Sequence, residues 1–109
     1  MAVSENTGGT LSANGTEQTL ATITAAGTYQ LVVDLSNMTL GDIVEIRIKV
    51  KVRSGSSSKC VFLASYAHAQ GADGSIVISP PVPSPFEFVA TLEQVAGTNR
   101  NYIWSIYEY

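Results

Sequence analysis

The side chains best equipped for chemistry in this sequence are a lone histidine, His68, a lone cysteine, Cys60, and nine carboxylates. His68 lies in Tyr66-Ala67-His68-Ala69-Gln70. As a general base it would need a hydroxyl nucleophile in reach and a carboxylate to orient its ring, and the sequence supplies only scattered serines and Asp73. Zinc needs further His or Cys ligands at short spacing, and none accompanies His68, which therefore reads as a structural or surface histidine. Cys60 follows Lys59, a neighbour that favours the thiolate. It also opens an apolar segment, where a free cysteine packs as a small hydrophobe, and packing is the expectation. Glu87 and Glu93 fall on one side of an alternating segment, about 20 Å apart at the rise of a strand, too far to cooperate as a hydrolytic pair. No glycine-rich loop leads into a helix that could cradle a phosphate. The sequence thus nominates no catalytic residue, no metal ligand and no cofactor, and the expectation is a protein that is not an enzyme.

Two other groups of residues point to contact rather than reaction. Arg47, Lys49, Lys51 and Arg53 place four of the six basic residues on one face of one alternating segment. They can pair with acidic residues of a neighbouring strand, with Glu87 and Glu93 as candidates, dock on an acidic surface of another protein, or form a solvated face that discourages edge-to-edge aggregation. The C-terminal segment holds Tyr102, Trp104, Tyr107 and Tyr109, which include the only Trp and three of the five Tyr. Aromatic residues on both faces of a strand exceed what one packed face needs, and Tyr and Trp are enriched at interfaces. These eight residues are the expected oligomer or partner contacts, with Tyr107 and Tyr109 projecting outward.

What must position them is a sheet structure. The 109 residues suffice for one domain, and 45% hydrophobic against 14% charged residues allows a buried core. A net charge of −3 argues against a nucleic-acid binder. The longest apolar run, Cys60 to Ala64, is far short of the roughly 20 residues of a membrane helix, so no membrane partner is expected. The N-terminus lacks the basic and apolar stretches of a secretory signal. In Val44 to Arg53, Val44, Ile46, Ile48, Val50 and Val52 alternate with charged residues, which puts the aliphatics on one face and the charges on the other. Thr28 to Leu35 repeats the pattern with Tyr29, Leu31, Val33 and Leu35 inward, and Pro85 to Val95 does so with Phe86, Phe88, Ala90 and Leu92. Lys59 to Gln70 is apolar on both faces, as in a strand covered on both sides or lying in a subunit contact.

Weaker strands are expected at Thr10 to Ala13, Glu17 to Ala25, Ser75 to Ser79 and Asn101 to Tyr109, about eight in all. Ala26-Gly27 can close a tight hairpin, and Asp73-Gly74 suits a primed turn. Residues 79–85 hold all four prolines and should form an extended link outside any sheet. Residues 1–15 carry few large apolar side chains and are expected as a flexible N-terminal arm, leaving 16–109 as the single folded domain. Strands without crossover helices pair mostly antiparallel, and facing sheets bury one side of each. The expected fold is all-β, an antiparallel β-sandwich of jelly-roll type.

Several strings carry a further likeness: Thr16-Glu17-Gln18-Thr19-Leu20-Ala21-Thr22-Ile23-Thr24, Gly27 to Leu35, Gly41-Asp42-Ile43-Val44-Glu45-Ile46-Arg47, Tyr66 to Gln70, Ser79-Pro80-Pro81-Val82-Pro83, Glu87-Phe88 and Ala96-Gly97-Thr98. Together they resemble small virion structural proteins of tailed bacteriophages, over roughly residues 10–109. The resemblance implies a capsid decoration, or cement, protein: a small β-rich domain, often trimeric, seated on the outer surface of the head and clamping major capsid subunits together. It implies no catalytic residues, a homo-oligomer with a trimer favoured, and location on the virion after assembly in the host cytoplasm. The rival expectations are a tail, fibre or head-to-tail component, and a carbohydrate-binding module that stacks sugars on Trp104 or Tyr residues.

Overall fold

Alternation of apolar and polar side chains is realised as nine strands, with no helix, in the computed structural model, which describes residues 2–71 and 73–109. The strands are β1 (Ser4–Ser12), β2 (Glu17–Ile23), β3 (Gly27–Asp34), β4 (Ile43–Val50), β5 (Lys59–Ala67), β6 (Ile76–Ile78), β7 (Val82–Ser84), β8 (Phe88–Ala96) and β9 (Asn101–Glu108). They form two antiparallel sheets. One runs β1-β9-β3-β6, with β7 also paired to β3, and the other runs β2-β8-β4-β5. The fold is a β-sandwich.

The core lies between the sheets and is filled by the alternating residues the sequence singled out. Tyr29, Leu31, Val33 and Leu35 meet Val44, Ile46, Ile48, Phe88, Ala90 and Leu92, all nearly inaccessible to solvent. Tyr29 and Phe88 pack ring to ring across the two sheets, with centroids 5.4 Å apart, the tilted geometry that aromatic pairs prefer. Residues of β4 and β8 lie in register, with Ile46 opposite Leu92 and Ile48 opposite Ala90, so each cross-strand pair contributes to the same apolar layer.

Several local expectations are corrected. The weak strand expected from Thr10 is present and much longer: residues 4–9, read only as flexible arm, join it to form β1, which pairs with β9 from Ser4↔Glu108 to Ser12↔Asn101. Backbone hydrogen bonds to a neighbouring strand give order that side-chain hydrophobicity does not report. The strand beginning at Val44 stops at Val50, so Val52, expected inward, is 79% exposed in the hairpin between β4 and β5. Phe86 lies outside β8 and is partly exposed. Ala26-Gly27 closes no hairpin, because β2 and β3 belong to different sheets, and Asp73-Gly74 likewise lies on a crossing, from β5 to β6. The proline segment is not wholly outside the sheets: β7, with Pro83 at its centre, pairs with β3 at Gly27, Thr28 and Tyr29. A strand with one open side tolerates proline when the missing N–H would face outward. Lys59 to Ala67 is not covered on both sides; it is the edge strand β5, with Phe62, Ala64 and Tyr66 half-buried on the inner face and Val61 and Leu63 more than half exposed.

Candidate interaction surfaces

The outer face of the four-stranded sheet gathers charge. Arg47 bridges Glu45 at 2.6 Å and Glu93 at 3.2 Å, and Lys49 meets Glu17 at 2.9 Å. Thr91 donates its hydroxyl to the same Glu17 carboxylate at 2.7 Å. The Lys49 ammonium, joined by Thr91, holds the Glu17 carboxyl below its ordinary range despite some desolvation. Desolvation works against the charge on Arg47, but Glu93 and Glu45 outweigh it and hold the guanidinium above its ordinary value. The expected basic row is therefore divided. Arg47 and Lys49 are neutralised within the sheet, whereas Lys51 and Arg53 lie beyond the end of β4, with Arg53 exposed in the hairpin turn. Of the two acidic candidates, Glu93 is a partner of Arg47, and Glu87 instead accepts a hydrogen bond from the Ser58 hydroxyl. These side chains are partly exposed to solvent, and each pair is worth on the order of 1 kcal/mol.

The aromatic group also divides. Tyr102 is wholly buried, and its hydroxyl donates to Gln94, itself 2% exposed, whose amide donates onward to the Ala96 carbonyl at 2.8 Å. Burial, with the Asp42 charge adding, pushes the Tyr102 phenol up to about 12. A residue without solvent contact cannot meet a partner, so Tyr102 is a core residue and not an interface residue. Trp104 is also inward: it lies opposite Val33 in β3 and Gly9 in β1 and packs against the core. Even parity from Tyr102 decides this, because Trp104 and Ile106 must share its face. Tyr107 and Tyr109 do project outward, and the Tyr109 hydroxyl donates to Gln30 at 2.5 Å. Tyr102→Phe is expected to cost about 1–3 kcal/mol, the penalty of leaving the Gln94 oxygen buried without a donor. Pairing it with Gln94→Leu should return part of that loss, and urea unfolding of the single and double variants checks both.

The outer surface of the five-stranded sheet, to which Tyr107 belongs, also carries apolar residues that the sequence did not single out. Register aligns Ile103, Asp34 and Ile76 in one row, Ser105, Val32 and Ile78 in the next, and Tyr107 with Gln30 beyond them. Ile103 is 60% exposed, Ile78 58% and Ile76 51%. Val32 lies half-buried between Ile78 and Ser105. The charges placed among these rows are acidic, Asp34 and Glu5, the latter accepting from the Ser105 hydroxyl. The exposed isoleucines thus share this face with the polar Asp34, Ser105 and Gln30, Ile76 and Ile78 lying on one side of β3 and Ile103 on the other. The isoleucines of β6 were illegible as a surface because Ile-Val-Ile is apolar throughout, and only pairing with β3 decides that Val77 turns inward.

One end of the sandwich is fastened by a buried carboxylate. Asp42, 1% exposed, accepts from the Thr39 N–H, the Thr98 N–H and Arg100 Nε, each at 2.9 Å. Its backbone carbonyl accepts the His68 N–H at 2.7 Å. His68 sits at φ 67 and its Nδ1 accepts the Gly41 N–H at 3.0 Å, so its ring is a structural acceptor, in line with the sequence reading. Cys60 departs from expectation: it is exposed at the start of β5, with Sγ 3.2 Å from the Phe62 carbonyl. Among the described residues there is no pocket, and no group of three or more His, Cys, Asp or Glu placed to hold a metal ion.

No family model matches the chain, and no curated protein matches it at a significant level.

Proposed function

We propose that this chain is a virion structural subunit, built as a jelly roll, that acts as a decoration protein on the outer surface of a phage head. The observation that carries the reading is the outer face of the five-stranded sheet, where Ile76, Ile78 and Ile103 are each more than half exposed around Val32. Covering such a patch favours association, at roughly 25 cal/mol per Å² of apolar area before the costs of binding. A cement protein acts through this term, repeated at every equivalent position of a shell, so that multivalent attachment opposes separation of the capsid subunits.

The jelly-roll reading is supported by strand order. Sheets ordered β1-β9-β3-(β6, β7) and β2-β8-β4-β5 arise when an antiparallel hairpin, folded over as a unit, wraps a common core. The chain changes sheet at every connection except β4 to β5 and β6 to β7. Jelly rolls are frequent in capsid proteins and in lectins. Between these, the aromatic platform that sugar stacking would use is compromised, since Trp104 packs against the core under β1.

Cryo-electron microscopy of virions from the phage that encodes the chain tests the proposal. Density for the domain on the head surface, with the five-stranded sheet toward the capsid subunits, is the expected result. Density on the tail selects the tail component, and absence from the virion overturns both. In a binding assay on purified heads, Ile78→Glu with Ile103→Glu should weaken attachment at least tenfold while the monomer stays folded, because both side chains already face water.

A further inference from the structure

The sheets have four kinds of edge, and three carry devices that discourage further pairing. β1 has Glu5, two glycines and a break in register between Glu5 and Thr7; β2 begins with Glu17 and breaks register between Thr19 and Ala21; β6 and β7 are three residues each, and β7 contains Pro83. Acidic residues, bulges, short length and proline are the usual protections of a free edge. β5 is different. After the irregularity that sets Lys49 opposite Cys60, the run Phe62-Leu63-Ala64-Ser65-Tyr66-Ala67 has no charge, no glycine and no proline, and it continues in register with β4 from Ile48↔Phe62 to Ile43↔Ala67. Its outer face carries Leu63, 56% exposed, next to Val61, 55% exposed.

The polar groups of this edge can be placed. The His68 N–H bonds to the Asp42 carbonyl on the β4 side. The peptide carbonyl of Ala67 therefore points away from β4, where it accepts the Gln70 side-chain amide at 3.0 Å. By alternation along the strand, the N–H and C=O groups of Leu63 and Ser65 also point away from β4, into solvent. These are donors and acceptors aligned for one more strand.

We propose that the β5 edge pairs antiparallel with β5 of a second copy of this chain about a two-fold axis at Ala64, joining two four-stranded sheets into one of eight. The sequence is self-complementary about that residue. Phe62 falls opposite Tyr66 of the second copy and Tyr66 opposite its Phe62, so two aromatic pairs flank a small Ala64–Ala64 contact on the inner face. On the outer face Leu63 falls opposite Ser65, and these two residues, whose backbone groups point outward, become hydrogen-bonded pairs in both directions. Lys59, the sole charge of β5, falls opposite Ala69, outside the paired run, so no like charges meet. A two-fold contact requires that one patch complement itself, and strand addition supplies affinity through backbone hydrogen bonds with side-chain pairs setting register. Phe62 and Tyr66, half-buried at the open rim of the sandwich, gain cover from the second copy. This pairing does not depend on the virion reading, and it leaves the outer face of the five-stranded sheet free.

Sedimentation equilibrium of the full chain tests it. The expected mass is twice the 11.5 kDa of the chain, and a monomer or a trimer overturns the proposal. Ser65→Pro removes an N–H that the monomer leaves in solvent, and should halve the mass while thermal melting still shows a folded domain. Leu63→Lys, on the exposed outer face, should weaken the dimer at least tenfold, and it carries the same expectation if the proline variant fails to fold. A dimer unchanged in either folded variant shows that another surface is used and overturns the proposal. In a Cys60→Ser background, Ala64→Cys places two thiols about 4.5 Å apart at their Cα atoms, within disulfide range. Oxidised glutathione should then give a covalent dimer, and failure to cross-link a protein that sediments as a dimer rules out this register.

Discussion

Asp42→Ala is expected to lower the unfolding free energy by about 3–4 kcal/mol, read from urea unfolding. The carboxylate ties the loop before β4 to the β8–β9 loop, and removing it strips acceptors from the Thr39 N–H, the Thr98 N–H and Arg100 Nε at once. Hydrogen bonds to a charged acceptor are worth about 1.5–3 kcal/mol each, but they are not additive, and water reaches Arg100, whose side chain is 30% exposed, so the total falls below their sum. The pH dependence has a definite sign. Asp42 titrates below its ordinary range, chiefly because the Thr39 N–H donates to it, with Arg100 and the Thr98 N–H adding, against burial that acts in the opposite direction. A carboxyl lowered in the folded state contributes stability that is complete above the unfolded value of about pH 4 and is lost as pH falls through the folded one. Glu17 acts in the same sense through Lys49. Urea midpoints measured down through this window should fall for the wild type, and Asp42→Ala should flatten that decline more than Glu17→Gln. An equally steep acid decline in Asp42→Ala would refute the assignment. Gly97→Ala should disturb the same cluster, because Gly97 holds φ +89 and a side chain there would run into Asp42.

Ile46→Asp is expected to abolish cooperative folding. Ile46 is 1% exposed on β4, between Ala64 of β5 and Leu92 of β8, and the described structure offers no cation on that inner face to pair with a carboxylate. The variant loses the apolar contribution of the side chain, about 2–5 kcal/mol on truncation, and must also bury a charge or protonate it. Against a total stability of roughly 5–15 kcal/mol for a domain of this kind, the sum is ruinous. Lys49→Ser, three positions along on the opposite face, removes only the partly exposed pair with Glu17 and should leave the domain folded within about 1 kcal/mol. Circular dichroism and urea melts distinguish the two, and a cooperatively folded Ile46→Asp would contradict the placement of β4 at the centre of its sheet.

The interaction surfaces were only partly legible. Arg47 and Lys49 could be read as outward, and Glu93 could be named as a partner, because alternation assigns sides. Tyr102 and Trp104 read as interface residues in the sequence because nothing in a segment aromatic on both faces says which face is the inner one. That was decided by pairing with β3, which sets Trp104 beside Val33 and Ile106 beside Leu31. The Asp42 cluster was hidden for a different reason: Thr39, Thr98, Arg100 and His68 lie 3 to 58 positions away along the chain and meet only where three loops converge.

By itself the sequence determined the all-β class, the alternating core of β3, β4 and β8 and the outward charge of β4, since each follows from a two-residue period that successive side chains must obey. The tertiary structure alone decided which strands are neighbours, that residues 4–9 join the strand begun at Thr10, that Ala26-Gly27 crosses between sheets, and that the isoleucines of β6 and β9 share an outer face. Period fixes a side relative to the strand itself. Neighbours are fixed by backbone hydrogen bonds between residues distant in the chain, and these bonds are made by groups that every residue except proline carries alike.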